Sequence, residues 1–282
     1  MPDLRVLMSG VVFGEQPRWH DDRLWFSDWG TQEVIAVGLD GHSEVMLNGR
    51  SFPLCVDWLP DGRLLVVSAR DGLLLRQERD GSLVTHGDLR TASTPPAVNE
   101  LVVGSGGRAY VNGGGFDLMA GEEFAPGIVA LVAPDGSARQ VADGLAFPNG
   151  MLIMPDDRTL IVAESYAHRL MAFDIADNGD LSNRRVWAEL GDGVPDGICA
   201  DTENAVWYAD VPNRRCVRVR EGGEVLQTIE LDRGCFACAL GGAAGDTLFI
   251  VAQEWNGPAG MFQGRTGQVV VADAPAPAGG RP

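Results

Sequence analysis

The chain has 282 residues, and 39 Asp and Glu against 22 Lys and Arg leave a formal net charge of −17 at pH 7. Nucleic acids and anionic membranes are held mainly by Lys and Arg. The densest basic group, Arg214, Arg215, Arg218 and Arg220, is surrounded by acids, so neither partner is expected. The 45% hydrophobic content suits a cored globular chain, while apolar runs such as 64–68 and 160–163 are far too short to cross a bilayer.

In chain order, the first ten residues lack the basic start and long apolar stretch of a secretory leader. The five cysteines are odd in number and sparse, so the expectation is a cytoplasmic protein with reduced thiols and no disulfide framework. The 37 Gly and 16 Pro recur between short apolar runs instead of clustering, which predicts many tight turns joining many short strands.

A turn rich in Asp, Gly, Asn or Arg then precedes an apolar strand six times. His20-Asp21-Asp22-Arg23 leads into Leu24-Trp25-Phe26-Ser27, Pro60-Asp61-Gly62-Arg63 into Leu64-Leu65-Val66-Val67, and Gly106-Gly107-Arg108 into Ala109-Tyr110-Val111. Pro155-Asp156-Asp157-Arg158, Asp201-Thr202-Glu203-Asn204 and Ala244-Gly245-Asp246 introduce the later three. A spacing of roughly 40 to 50 residues is that of four-stranded propeller blades. The predicted fold is all-β: a six-bladed β-propeller with four-stranded antiparallel blades, filling residues 1–273 as one domain. Residues 4–8 should close the ring beside 268–272, hiding strand edges. Residues 274–282 are expected to be a flexible tail.

Innermost propeller strands border a common channel, so equivalent positions in each unit converge. Counting back about ten residues from each second strand gives Glu15, Cys55, Asn99, Asn149, Asp196 and Ala237. Four of these six carry oxygen, two of them carboxylates. Such a set suits a hard divalent cation, which prefers carboxylate, amide and water oxygens. Glu15-Gln16-Pro17, Pro148-Asn149-Gly150 and Pro195-Asp196-Gly197 are also turn-like, but turn chemistry alone does not place them at one register position.

Those motifs, with Glu15-Gln16-Pro17-Arg18-Trp19 and Asn99-Glu100, resemble the signatures of the gluconolactonase, regucalcin (senescence marker protein) and luciferin-regenerating-enzyme family, from about Glu15 to Trp255. The resemblance implies a six-bladed propeller with one divalent cation in the channel, and several members that hydrolyse sugar lactones. It implies Glu15, Asn149 and Asp196 as metal ligands and Asn99 as the residue facing the substrate or a bound water. Ca²⁺ is the expected ion, with Mg²⁺, Mn²⁺ and Zn²⁺ as alternatives. The sugar lactonases of that family have Asp after the Asn and, in animals, an Arg two residues before it; here Glu100 and Ala97 stand there. Losing a multi-donor Arg points away from gluconolactone itself and toward a less polar lactone or ester.

The chemistry expected is hydrolysis by metal-activated water, with Asp196 as the base. Glu100, Trp19, Phe116 and Glu164 are further candidates for substrate contact; for Trp19 and Phe116 packing between blades is the alternative, and for Glu164 a structural pair. Cys235-Phe236-Ala237-Cys238 has redox or zinc spacing without a second pair, and a buried structural role is expected. No phosphate loop or glycine-flanked serine nucleophile is present. The rival functions are phosphotriester hydrolysis or another reaction at the same metal site, and a non-catalytic propeller that binds a metal or small ligand. The expected partner is a small lactone or ester.

Overall fold

The computed structural model describes residues 3–280. Six antiparallel sheets share one pattern; in four of them all neighbouring strands are consecutive in the chain, and in the other two one strand comes from an end of the described residues. Blade one comprises Gly14–His20, Arg23–Asp28, Glu33–Val37 and Ser43–Asn48. Blade two follows with Leu54–Trp58, Leu64–Ser68, Leu73–Gln77 and Leu83–Asp88, and blade three with Glu100–Val103, Ala109–Gly113, Gly127–Val132 and Ala138–Leu145. Blade four is Pro148–Ile153, Thr159–Glu164, Arg169–Ile175 and Leu181–Glu189. Blade five is Pro195–Asp201, Val206–Asp210, Arg215–Val219 and Val225–Glu230. Blade six takes Gly234–Gly241, Thr247–Gln253 and Gly267–Asp273 from the end of the chain and Arg5–Val11 from its start.

That last pairing closes the ring. Arg5 faces Val271 and Val11 faces Gly267 across an antiparallel ladder. The first strands of neighbouring blades lie side by side around the axis. The arrangement is the six-bladed β-propeller that the repeat predicts.

Strand burial explains the alternation of sequence character. Second strands such as Leu64–Ser68 are buried throughout, because neighbouring blades cover both faces, so they read as continuous apolar runs. Outer strands such as Ser43–Asn48 have mostly exposed residues and carry the polar side chains. Phe26 and Phe249 join blades one and six, Tyr110 and Leu160 join three and four, and Trp207 and Ile250 join five and six. Each such side chain contributes about 1.5–3 kcal/mol on burial. In the turn of blade two, the Asp61 carboxylate accepts the Arg63 N–H at 3.1 Å and Gly62 takes φ 82°, a conformation that glycine adopts without steric cost.

The end of the chain departs from the expected flexible tail. Ala278–Gly279 pairs with the innermost strand of blade five, Ala200 with Gly279 and Asp201 with Ala278. Pro277 O accepts the Thr202 N–H at 2.9 Å, and Ala278 N–H donates to Gly245 O at 2.8 Å. Sheet hydrogen bonding thus holds a segment whose Ala, Pro and Gly composition reads as unstructured. Residues 1, 2, 281 and 282, at the ends of the expected domain and tail, lie outside the described residues. Among the described residues no helix is long and apolar enough to cross a membrane.

Candidate functional site

The register positions converge where the innermost strands begin. Glu15 is the second residue of its strand in blade one, Asn149 of its strand in blade four and Asp196 of its strand in blade five. All three strands break register there: between Glu15 and Arg18, between Pro148 and Met151, and between Pro195 and Ile198. Blade six does the same between Cys235 and Ala237. A β-bulge bends its strand and re-aims a side chain. Pro148 and Pro195 at the entry to two of these bulges, and Pro17 with the positive φ of Gln16, 50°, in blade one, are their local signature.

Close approach explains the glycines. A Cβ on Gly150 would stand 2.5 Å from Asp196 O, and one on Gly197 would stand 2.6 Å from the Ala237 Cβ. Neither glycine has a positive φ. They bring blades four, five and six together at the level of the site.

Electrostatics mark the same place. Burial pushes the Glu15 carboxyl well above its ordinary range, and the charges of Asp196 and Glu100 push it further. Asp196, part-accessible at its surface but deep within the protein, is raised by burial and then by Glu100, with Asn149 partly offsetting this by hydrogen bonding its carboxylate. Glu15 accepts only a 3.3 Å bond from Gln16 N–H, and among the described residues neither acid has a basic side chain paired with it. Asn149 Nδ2 donates to Ser165 Oγ at 3.4 Å; Ser165 Oγ in turn donates to Pro195 O at 2.7 Å, tying blade four to blade five. Asn112 donates to Asn149 O at 2.5 Å, and its own Oδ1 is buried without a hydrogen-bond partner. Asn99 sits alongside, its Nδ2 3.4 Å from Pro148 O.

Two under-partnered carboxylates with an amide between blades form an oxygen-only donor set, which fits a hard divalent cation. Among the described residues no three His, Cys, Asp or Glu side chains are gathered as cation ligands.

Glu100 is built in more firmly than a substrate contact requires. It is buried, accepts from Gln16 Nε2, and takes Arg18 Nη2 at 3.3 Å. Burial still raises its carboxyl to about 7. Gln16 also accepts from Val56 N at 2.8 Å, and Arg18 donates to Leu101 O at 2.7 Å, so this network ties blades one, two and three together. Gln16, Arg18 and Asn112 are not singled out by the sequence; for the first two, their place in the Glu15-to-Trp19 run is the available signal.

Two expected contacts are corrected. Glu164 is fully buried and its oxygens are taken by Arg169 at 2.7 Å, Arg184 at 3.4 Å and Ala146 N–H at 2.7 Å, a structural network rather than a substrate contact. Trp19 stacks on Phe249 with ring centroids 5.3 Å apart, wedged against blade six. It lies four residues along the strand from Glu15, about 13 Å at strand rise. Phe116, by contrast, lies on the site's face, in the connection between the second and third strands of blade three, against Phe124, Phe147 and Tyr166. All five cysteines are buried and free. A cavity of about 570 Å³ opens on the opposite face at Asp61, Arg63, Glu78, Arg79 and Asp80, with Arg63 paired to Asp61 at 2.6 Å and to Glu78 at 3.4 Å. It lies at turns far from the converging set, and Arg63 offsets two of its three acids.

The chain is a six-bladed propeller with polar residues converging at one end of its central channel. The model of the SMP-30/gluconolactonase/LRE-like region matches residues 13–254, and the chain belongs to that family. It is similar to regucalcin of Danio rerio, 34% identical over 124 residues, which is 42% of this chain and 42% of that one. An uncharacterized protein of Sulfolobus acidocaldarius is 24% identical over 266 residues, 92% of this chain and 93% of that one. The regucalcin match thus spans less than half of the relative's length. Among solved structures, a gluconolactonase of Xanthomonas campestris superposes with TM-score 0.76 at 24% identity, covering 96% of this chain and 89% of that one. A calcium-binding regucalcin of Agrobacterium tumefaciens superposes with TM-score 0.80 at 20% identity, covering 99% and 96%. At these identities the superpositions establish the fold.

Proposed function

We propose that the protein is a divalent-metal-dependent hydrolase that opens a lactone or related ester other than gluconolactone. The observation that carries this reading is the convergence of buried Glu15 and part-accessible Asp196, both raised in proton affinity and without a basic partner among the described residues, beside Asn149. Glu15, Asn149 and Asp196 would hold one cation, Ca²⁺ by preference for this oxygen set. When bound, such an ion supplies Lewis acidity toward a carbonyl oxygen and toward water.

The chain's own residues do the rest. Asp196 takes a proton from the water that attacks the acyl carbon. The acyl C–O bond to the ring oxygen breaks, and the departing alkoxide takes the proton held by Asp196, giving the hydroxy acid and restoring the base. Asn149 orients the Asp196 carboxylate through its hydrogen bond. Asn99, half-buried beside Pro148, presents an amide to the substrate oxygen. Glu15 supplies negative charge from blade one. Ala97 is buried at 1% exposure against Gly113, so that position offers no donor to sugar hydroxyls.

The test is acid release from sugar lactones, alkyl lactones and a phosphotriester by chelated protein and by protein reloaded with Ca²⁺, Mg²⁺, Mn²⁺ or Zn²⁺. Metal-restored release from alkyl lactones supports the proposal. Turnover of the phosphotriester alone, or metal binding without turnover, would replace it with another reaction or a non-catalytic binding role.

A further inference from the structure

We propose that the substrate carries an apolar, ring-sized substituent, held at the channel mouth by an aromatic wall of Phe116, Phe124, Phe147 and Tyr166. This rests on the hydrolase reading for the reaction but not for the binding. The wall is continuous with the polar site. Phe147 lies two residues before Asn149, and its backbone O accepts the Ser165 N–H at 3.2 Å. Tyr166 follows Ser165, whose hydroxyl lies 3.4 Å from Asn149 Nδ2. The Phe147 and Tyr166 rings stack at 4.7 Å with planes 14° apart, and Phe116 and Phe124 complete the group from the long connection in blade three.

Packing does not account for the outer rings. Phe124 is 51% exposed and Tyr166 is 48% exposed, although each touches other rings. Side chains that served only to join blades would be covered as Phe26 and Phe249 are, at 0%. Large apolar rings left in water beside a polar site mark a surface that gains by covering a ligand.

A second aromatic group rises across the mouth. Phe13, two residues before Glu15, contacts Phe236 at 4.9 Å, Trp255 at 6.4 Å and Phe262 at 5.9 Å. Phe262 is 42% exposed. Rings therefore stand near the polar set both beside Glu15 and beside Asn149. Sugar hydroxyls pressed against such walls would lose water without gaining donors, whereas an aryl or branched alkyl group loses nothing. The occupant is the apolar part of a small ester or lactone.

The probe is valerolactam carrying a benzyl group on the ring carbon beside nitrogen, an unreactive stand-in compared by calorimetry with plain valerolactam. Burying a phenyl group predicts at least about tenfold tighter binding of the benzyl compound. Tyr166→Ser and Phe124→Ser should each erode that preference several-fold while leaving plain valerolactam unchanged. Both sites are exposed, and circular dichroism verifies the fold. Equal affinities, or a preference kept by both variants, would overturn the proposal. Lactone hydrolysis with no advantage for aryl substituents would also overturn it while leaving the hydrolase reading intact. Benzyl-selective binding with no hydrolysis of any lactone would uphold the wall and sink the hydrolase reading.

Discussion

Glu15 and Asp196 enter the channel from blades one and five, and the charge of Asp196 adds to burial in raising the proton affinity of Glu15. Two acids brought together in this way resist sharing negative charge. Removing one should therefore affect protonation and metal affinity together. Asp196→Asn, nearly isosteric, should lower kcat/KM for the best lactone at least ~100-fold, the usual scale for a lost general base. Titration calorimetry with Ca²⁺ should show weaker binding, while Asn149→Asp should retain metal. Full turnover by Asp196→Asn at saturating metal would remove Asp196 as the base.

The pH dependence of stability follows from the same raised groups. Glu100 is lifted by burial from 4.5 to about 7, and Glu15 and Asp196 are also lifted. A carboxyl with a raised folded-state pKa holds its proton in the folded protein after the unfolded chain has released it. Its stabilising contribution is present below the unfolded value and is lost as pH rises through the folded value. For chelated protein, melting temperature should fall between pH 4.5 and 7, with Glu100 accounting for a loss on the order of 3 kcal/mol. Ca²⁺ should oppose the fall, and Glu100→Gln should flatten part of it. A chelated protein whose stability rises across that window would contradict the assignment.

Much of this is legible in the sequence. Propeller blades repeat, so Pro60-Asp61-Gly62-Arg63 and Pro155-Asp156-Asp157-Arg158 could be aligned, and the alignment placed Glu15, Asn149 and Asp196 at equivalent starts of innermost strands. Bulges at those starts made the positions conspicuous, through proline at the entry and glycine where blades touch. Pairings between distant side chains left no such trace. Glu164 ends an apolar strand whether it faces a channel or two arginines, and only the fold brings Arg184 from the blade's outer strand to it. The Ala278–Gly279 pairing was hidden for a related reason: an edge strand this short is specified by its partner, Ala200 and Asp201.

The glycines offer a steric test. Gly150→Ala places a Cβ where the Asp196 carbonyl lies 2.5 Å away, and backbone cannot yield as a flexible side chain would. Overpacking of this kind costs about 1–3 kcal/mol. Urea denaturation should report that loss, and lactone turnover should fall beyond it because Asp196 is displaced. A Gly150→Ala variant of unchanged stability and activity would show that blades four and five do not meet there.

Glu164→Gln separates structure from chemistry. The carboxylate is wholly buried, but Arg169 and Arg184 are 28% and 36% exposed, so solvent screens part of their attraction. Loss of the charge should cost about 1–3 kcal/mol, below the full penalty for breaking a deeply buried pair. Gln keeps an acceptor for the Ala146 N–H, which lies 2.7 Å from Oε1. Folded Glu164→Gln protein should therefore hydrolyse its best lactone with kcat and KM close to those of the parent. A several-fold rise in KM at unchanged stability would return Glu164 to the substrate, and its ion pairs within blade four would then need another explanation.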